Sequence, residues 1–119
     1  MKIVGQYIDK FNILTGQNIP CGNIFQAEGL AVHVRKHHPD ETGLLEHIPD
    51  IIAAPDYVGH NPREPQSVEL IKVTDKNEMV CIKLDIGKGY LYVASVFSIS
   101  QGKLLSRLRS GRLVAIDKI

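Results

Sequence analysis

SVELIKVT (Ser67–Thr74), MVCIKLD (Met79–Asp85) and YLYVASVF (Tyr90–Phe97) decide the fold class of this chain. Each alternates, and each is rich in β-branched or aromatic side chains, the pattern of a strand with one covered face. Asp75-Lys76-Asn77-Glu78 and Ile86-Gly87-Lys88-Gly89 between them are of hairpin length, so the segment reads as an antiparallel meander. If Val80, Ile82 and Leu84 face the covering layer, Cys81, Lys83 and Asp85 face the other way. The reverse assignment fits equally, and Ser95 against Val96 poses the same choice.

Working outward, Ser100 opens a helix over Lys103 to Arg109 with Leu104, Leu105 and Leu108 on its buried side. Ser110-Gly111 ends it, and Arg112 to Ile116 follows as a terminal edge strand. Upstream, Pro55 to Pro65 is the most punctuated segment, read as a short strand and then a fixed loop carrying His60, Asn61 and Arg63. Leu44 to about Ala53 forms a short helix that Pro49 splits or kinks. A longer helix, capped by Asn23, runs from near Ile24 to about His38. Lys2–Ile8 and Asp9–Leu14 read as two short strands. Helices ahead of antiparallel strands make an α+β two-layer arrangement.

A chain of 119 residues with 44% hydrophobic and 23% charged residues fits a single globular domain, residues 1–119. A formal net charge of +1 gives no overall attraction to nucleic acid, so local clustering has to carry any such argument. Cys21 and Cys81 match no metal-ligand spacing, and reduced thiols are the expectation. No apolar run is long enough to span a bilayer, and the N-terminus lacks a signal-peptide core. No membrane partner is expected, and the expected location is cytoplasmic.

The densest chemistry lies in Val32-His33-Val34-Arg35-Lys36-His37-His38-Pro39-Asp40, which holds three of the five histidines. Leu30 and Val34, with Ala27 and Ala31, recur at helical spacing, and Pro39 should end the helix at His38. Imidazole titrates near neutral pH, while Arg and Lys supply fixed positive charge. Cleavage of a phosphodiester by RNA's own 2′-hydroxyl needs those groups: a base for the 2′ proton, a cation for the phosphorane and an acid for the leaving 5′ oxygen. A solvated basic helix end complementing the helix dipole accounts for the same residues. At about 100° per residue, His33 and His38 would point about 140° apart on a continuous helix, and His33 and His37 about 40°. Pro39 frees the direction of His38, and His37 is its rival. A metal is not expected, because no third ligand stands near the pair.

Set in order, His33-x-x-Lys36-x-His38-Pro39, Pro55-Asp56-Tyr57-Val58-x-x-Asn61-Pro62, Val80-x-Ile82-Lys83-Leu84-Asp85, Tyr90-Leu91-Tyr92-Val93-Ala94-Ser95, Ser98-Ile99-Ser100, and Lys103-Leu104 through Ser110-Gly111-Arg112-Leu113 resemble a known class. It is the phage-associated branch of the Barnase–EndoU–colicin–RelE nucleases, and the likeness covers roughly Leu30 to Leu113. The resemblance implies N-terminal helices packed on a roughly four-stranded antiparallel sheet, with the active site on the open face. It also implies a metal-independent endoribonuclease without cofactor, toxin- or effector-like, acting on RNA such as tRNA and held in check by an immunity or antitoxin protein. Such an enzyme works in the cytoplasm, or in that of a target cell to which it is delivered. Carried onto this sequence, His33 and His38 become the acid–base pair, Lys36 a phosphate cation and Ser100 a phosphate-binding hydroxyl. Arg35, His37, Tyr57, Asn61, Lys83 and Ser98 become substrate-binding candidates.

Each has a structural counterpart reading. Lys72 and Lys83 can form a cationic floor or simply guard the sheet against aggregation. Tyr57 and Asn61 can contact a base, yet a tyrosine and a turn Asn before Pro62 explain themselves. Tyr90 and Tyr92 read as core, and Arg107, Arg109 and Arg112 as complements to a helix dipole. The rival function is a nucleic-acid-binding or phage accessory domain of the same fold without turnover.

Overall fold

The computed structural model describes residues 1–118 and places seven strands in one sheet, ordered β1-β2-β6-β5-β4-β3-β7. Those strands are β1 (Lys2–Tyr7), β2 (Gly22–Gln26), β3 (Tyr57–Gly59), β4 (Ser67–Val73), β5 (Asn77–Asp85), β6 (Tyr90–Ile99) and β7 (Leu113–Ala115). Four α-helices accompany them: α1 (Asp9–Thr15), α2 (Leu30–His37), α3 (Ile48–Ala53) and α4 (Gln101–Ser110). The β4-β5-β6 meander is as the alternation reads, and β2 pairs with β6 in parallel through a short contact at Ile24–Leu91 and Phe25–Tyr92. The arrangement is α+β.

The sheet is larger than the expected four strands. β3 and β7 are three residues each, too short for alternation to reveal, and they pair with each other at the sheet edge. β2 replaces the first turn of the expected long helix, because Ile24 is fully buried between β1 and β6. Its backbone partners are remote in sequence, which local periodicity cannot register.

Asp9–Leu14 is helical, not extended. Phe11 and Asn12 turn inward. The Asn12 amide bonds the Tyr7 hydroxyl (2.8 Å) and both backbone groups of Ile19 (2.8 and 3.1 Å), tying α1 to the loop that leads into β2. The expected helix at Leu44–Ala53 divides into a 3-10 helix, Pro39–His47, and α3. Pro49 sits in the first turn of α3, where its missing N–H costs no hydrogen bond.

The two sheet faces are covered unequally. Val68, Leu70, Val80, Ile82, Val93 and Val96 bury against Phe11 of α1, Val34 of α2 and Ile48, Ile51 and Ile52 of α3. On the other face, Ile71, Met79 and Ile99 meet Leu104 of α4 and Leu113. α4 spans one end of that face only, so the end toward the β5–β6 hairpin is left open. Val80 and Ile82 therefore face the helices, and Cys81 and Lys83 the open side.

Candidate active site on the open face

Cross-strand register lines up the open face in rows. Ser67, Lys83 and Tyr92 stand opposite one another, then Glu69, Cys81 and Ser95, then Ile71, Met79 and Phe97. Ser67 and Lys83 of the first row, the whole second row, and Met79 and Phe97 of the third floor a groove of about 320 Å³. His33 closes one side from α2, Asn61 and Glu64 come from the β3–β4 loop, and Arg107 and Arg112 lean in from α4 and the turn beyond it. A bulge at Cys81/Ile82, opposite Ala94, re-aims Ser95 toward the groove.

Local structure explains how the arginines arrive. The Ser100 hydroxyl accepts the Lys103 N–H (3.2 Å) and starts α4. Gly111 ends it at φ 82°, a conformation that suits glycine and turns the chain back to Arg112. Gly59 on β3 lies so close that a Cβ there would strike the Arg112 carbonyl and Leu113. The Arg112 guanidinium then donates to both Glu69 carboxylate oxygens, 2.9 Å each, and Arg107 Nη1 reaches Oε2 at 3.4 Å. Glu69 is only 5% exposed, so its charge is sustained by this fork-shaped pairing. Two guanidiniums against one carboxylate leave the cluster net positive.

Lys83 Nζ lies 3.0 Å from Glu64 Oε2 at the groove's margin. Burial pushes the Cys81 thiol up to about 12, helped by the Glu69 charge and opposed by Arg107, Lys83 and Arg112. Cys81 is thus a neutral thiol and no nucleophile at neutral pH. The buried Ser95 hydroxyl has no hydrogen-bond partner among the described residues. Among those residues no group of three or more His, Cys, Asp or Glu could hold a metal ion. Among the described residues no helix is long and apolar enough to cross a membrane.

The sequence profile described as phage-Barnase-EndoU-ColicinE5/D-RelE like nuclease 3 matches residues 2–106. The chain belongs to that family. Its membership points to a nuclease. Neither a search of curated proteins nor one of solved structures gives a significant match.

In this nuclease-family chain the predicted residues are dispersed. His33 lines the groove, and the His37 ring sits 4.7 Å from it, centroid to centroid. His38 leaves helical geometry (φ −141°, ψ 61°) and stacks on Phe97, rings 4.7 Å apart and 12° from parallel. It therefore adjoins the groove through Phe97 without lining it. Arg35 and Lys36 are exposed in the last turn of α2. Asn61 and Lys83 line the groove, and Asn61 also accepts the Arg63 N–H (3.0 Å) to shape its loop.

Ser98 bonds the Glu41 carboxylate through its hydroxyl and its N–H (3.1 Å), satisfying a stretch of β6 that β2 does not reach. Ser100 is occupied as the α4 cap. Tyr57 packs in the smaller core. Lys72 does not share a face with Lys83: it pairs across from Glu78 and donates to the Ala54 carbonyl (2.9 Å). Tyr90 and Tyr92 lie outside both cores: Tyr90 meets Phe25 edge to face, and Tyr92 sits tilted against Tyr90. Glu69, Ser95, Arg107 and Arg112 line the groove although the sequence assigns them no site role, Arg107 and Arg112 reading there as dipole complements. One signal existed: a lone carboxylate inside SVELIKV, flanked by Val68 and Leu70, demands a cation from elsewhere.

Proposed function

We propose that this chain is a metal-independent endoribonuclease, a single nuclease-like domain over residues 1–119, that cleaves by attack of the 2′-hydroxyl. The observation that carries the reading is the convergence of His33 with Lys83, Ser95, Arg107 and Arg112 in one groove. His33, exposed at the groove's side, takes the 2′ proton or returns one to the leaving 5′ oxygen. Lys83 and the guanidiniums of Arg107 and Arg112 stabilise the charge that builds on the phosphorane, and the free Ser95 hydroxyl donates to a non-bridging oxygen. The 2′ oxygen bonds to phosphorus as the 5′ oxygen departs with a proton, giving a 2′,3′-cyclic phosphate and a 5′-hydroxyl end. Both groove carboxylates, Glu64 and Glu69, are engaged by cations, so the donor set favours binding an anion over ligating a metal.

His38 completes the acid–base pair by turning away from Phe97, and Lys36, on the same helix, attracts the polyanion at longer range. The biological reading follows the resemblance: a toxin- or effector-like enzyme acting on RNA such as tRNA in a cytoplasm, with an immunity or antitoxin partner. One observation favours the rival, binding without turnover: His38 rests on Phe97 rather than in the groove. Purified protein incubated with RNA and with DNA of the same sequence, in excess chelator, separates the two. The expected result is cleavage of RNA alone, with cyclic-phosphate ends. Cutting that needs a divalent metal, or equal cutting of DNA, sinks the mechanism, and binding of RNA with no product selects the rival.

A further inference from the structure

A second cleft, about 750 Å³, opens beside the groove and shares its wall. It lies between the His60–Arg63 loop and the C-terminal end of α4, with Thr15 of α1 at its rim. Arg107 and Arg112 line both spaces, and Arg63 and His60 are added here. Among the described residues no acidic side chain lines it. In a protein of net charge +1, three arginines and a histidine around one cleft is a local concentration that composition does not foretell.

The shared arginines are tied to Glu69, but Arg63 is not. It is exposed and makes no ion pair among the described residues. Its loop is held in place: Asn61 Oδ1 accepts the Arg63 N–H (3.0 Å), and the Glu64 N–H donates to the Asn61 carbonyl (2.9 Å). His60 donates from Nδ1 to the Ser67 carbonyl (3.0 Å), which leaves Nε2 free as its other ring nitrogen. A fixed loop presenting an unpaired guanidinium across from two others is a receptor for an anion with several oxygens.

We propose that this cleft binds a second backbone phosphate of the polynucleotide whose neighbouring linkage lies in the groove, so that the protein recognises a strand rather than a dinucleotide. The inference rests on the nuclease reading for what occupies the groove. The arginine pair common to both spaces makes the path continuous, because a chain leaving the groove past Arg107 and Arg112 enters the cleft directly. A free phosphate or nucleotide shares the same chemistry, and the test separates the two sources.

The experiment measures binding of 2′-fluoro RNA oligonucleotides, which lack the attacking hydroxyl, from two to eight nucleotides long, alongside inorganic phosphate. Affinity should step up by about tenfold, the scale of one charge-assisted contact, once the strand spans both spaces. Arg63→Glu should abolish the step, and Arg63→Ala should lower the salt dependence of the longer strands by about 0.7 in log–log slope. Lys76→Ala, which removes the same charge from the exposed β4–β5 hairpin, should keep the step. Affinity that does not change with length, or a step that survives Arg63→Glu, overturns the proposal. So does Arg63-dependent capture of inorganic phosphate with no length step, which would mark a small-anion site. Because these ligands cannot be cleaved, a length step in a protein that never cuts RNA would overturn only the nuclease reading.

Discussion

The end of α2 and the cluster around Glu69 are both basic, and they are built in opposite ways. In α2 the charges are neighbours in sequence, yet Arg35 and Lys36 are exposed and only His33 lines the groove. Around Glu69 the charges come from β4, α4 and the turn after it, and they meet within 2.9–3.4 Å. A run of charges on a helix fans out because successive side chains point in different directions. Strand rows and helix ends can focus distant residues on one point. Density along the chain is therefore a poor guide to convergence in space.

The two regions meet at His33, and its removal carries the largest expected effect. His33→Ala should lower the cleavage rate on RNA by about 10²–10⁴, the usual range for a positioned acid or base. A loss below tenfold would remove α2 from the chemistry altogether. Next is Glu69→Ala, which leaves two guanidiniums facing each other. Arg107 and Arg112 keep side-chain exposures of 19% and 26%. We therefore expect a loss of about 2–3 kcal/mol in urea unfolding, under the about 3–5 kcal/mol typical of fully buried pairs. An unchanged midpoint would mean the cluster is no more than a surface pairing.

The same cluster predicts a pH effect. Cys81 keeps its proton up to about 12 in the folded protein. In the unfolded chain the thiol releases it at the ordinary value of 9.0. The unfolded state then binds fewer protons in that interval, so stability should fall as pH rises from about 9 toward 12. Cys81→Ala should flatten that fall when unfolding midpoints are compared across the interval. A slope identical in both proteins would refute the assignment.

Smaller effects test the residues that sequence resemblance put in the site. Ser100→Ala should cost about 1 kcal/mol, the worth of a helix cap. A drop in cleavage rate comparable with that of His33→Ala would instead restore Ser100 as a phosphate ligand. Lys36→Ala should change stability by no more than about 0.5 kcal/mol, as exposed substitutions do. Its effect on cleavage should fade as salt rises, since it acts only through a screened field. A large, salt-independent loss would show that the end of α2 bends into the groove with substrate.

The parts of the fold that were legible share one property: their pattern is local. The β4–β6 meander reads from alternation, α4 from its leucines between Ser100 and Gly111, and the end of α2 from Pro39. From Ile24 on, β2 reads as helix because its partners β1 and β6 are distant in the chain, and α1 reads as strand because seven residues give periodicity too little length. The candidate site divides likewise. His33, Asn61 and Lys83 stand out by residue type, and the packing of α2 and the β3–β4 loop beside β5 brings them to one groove.

The amino-acid order alone determined the alternating strands, the helix stop at Pro39 and the likeness to a nuclease family, because each depends on spacing within a short span. Only the tertiary structure decided which face of β5 is open, that His38 rests on Phe97, and that Arg107 and Arg112 close on Glu69. Those outcomes depend on which surfaces are buried against one another. A buried carboxylate chooses its cation by proximity in the folded state, whatever the distance along the chain.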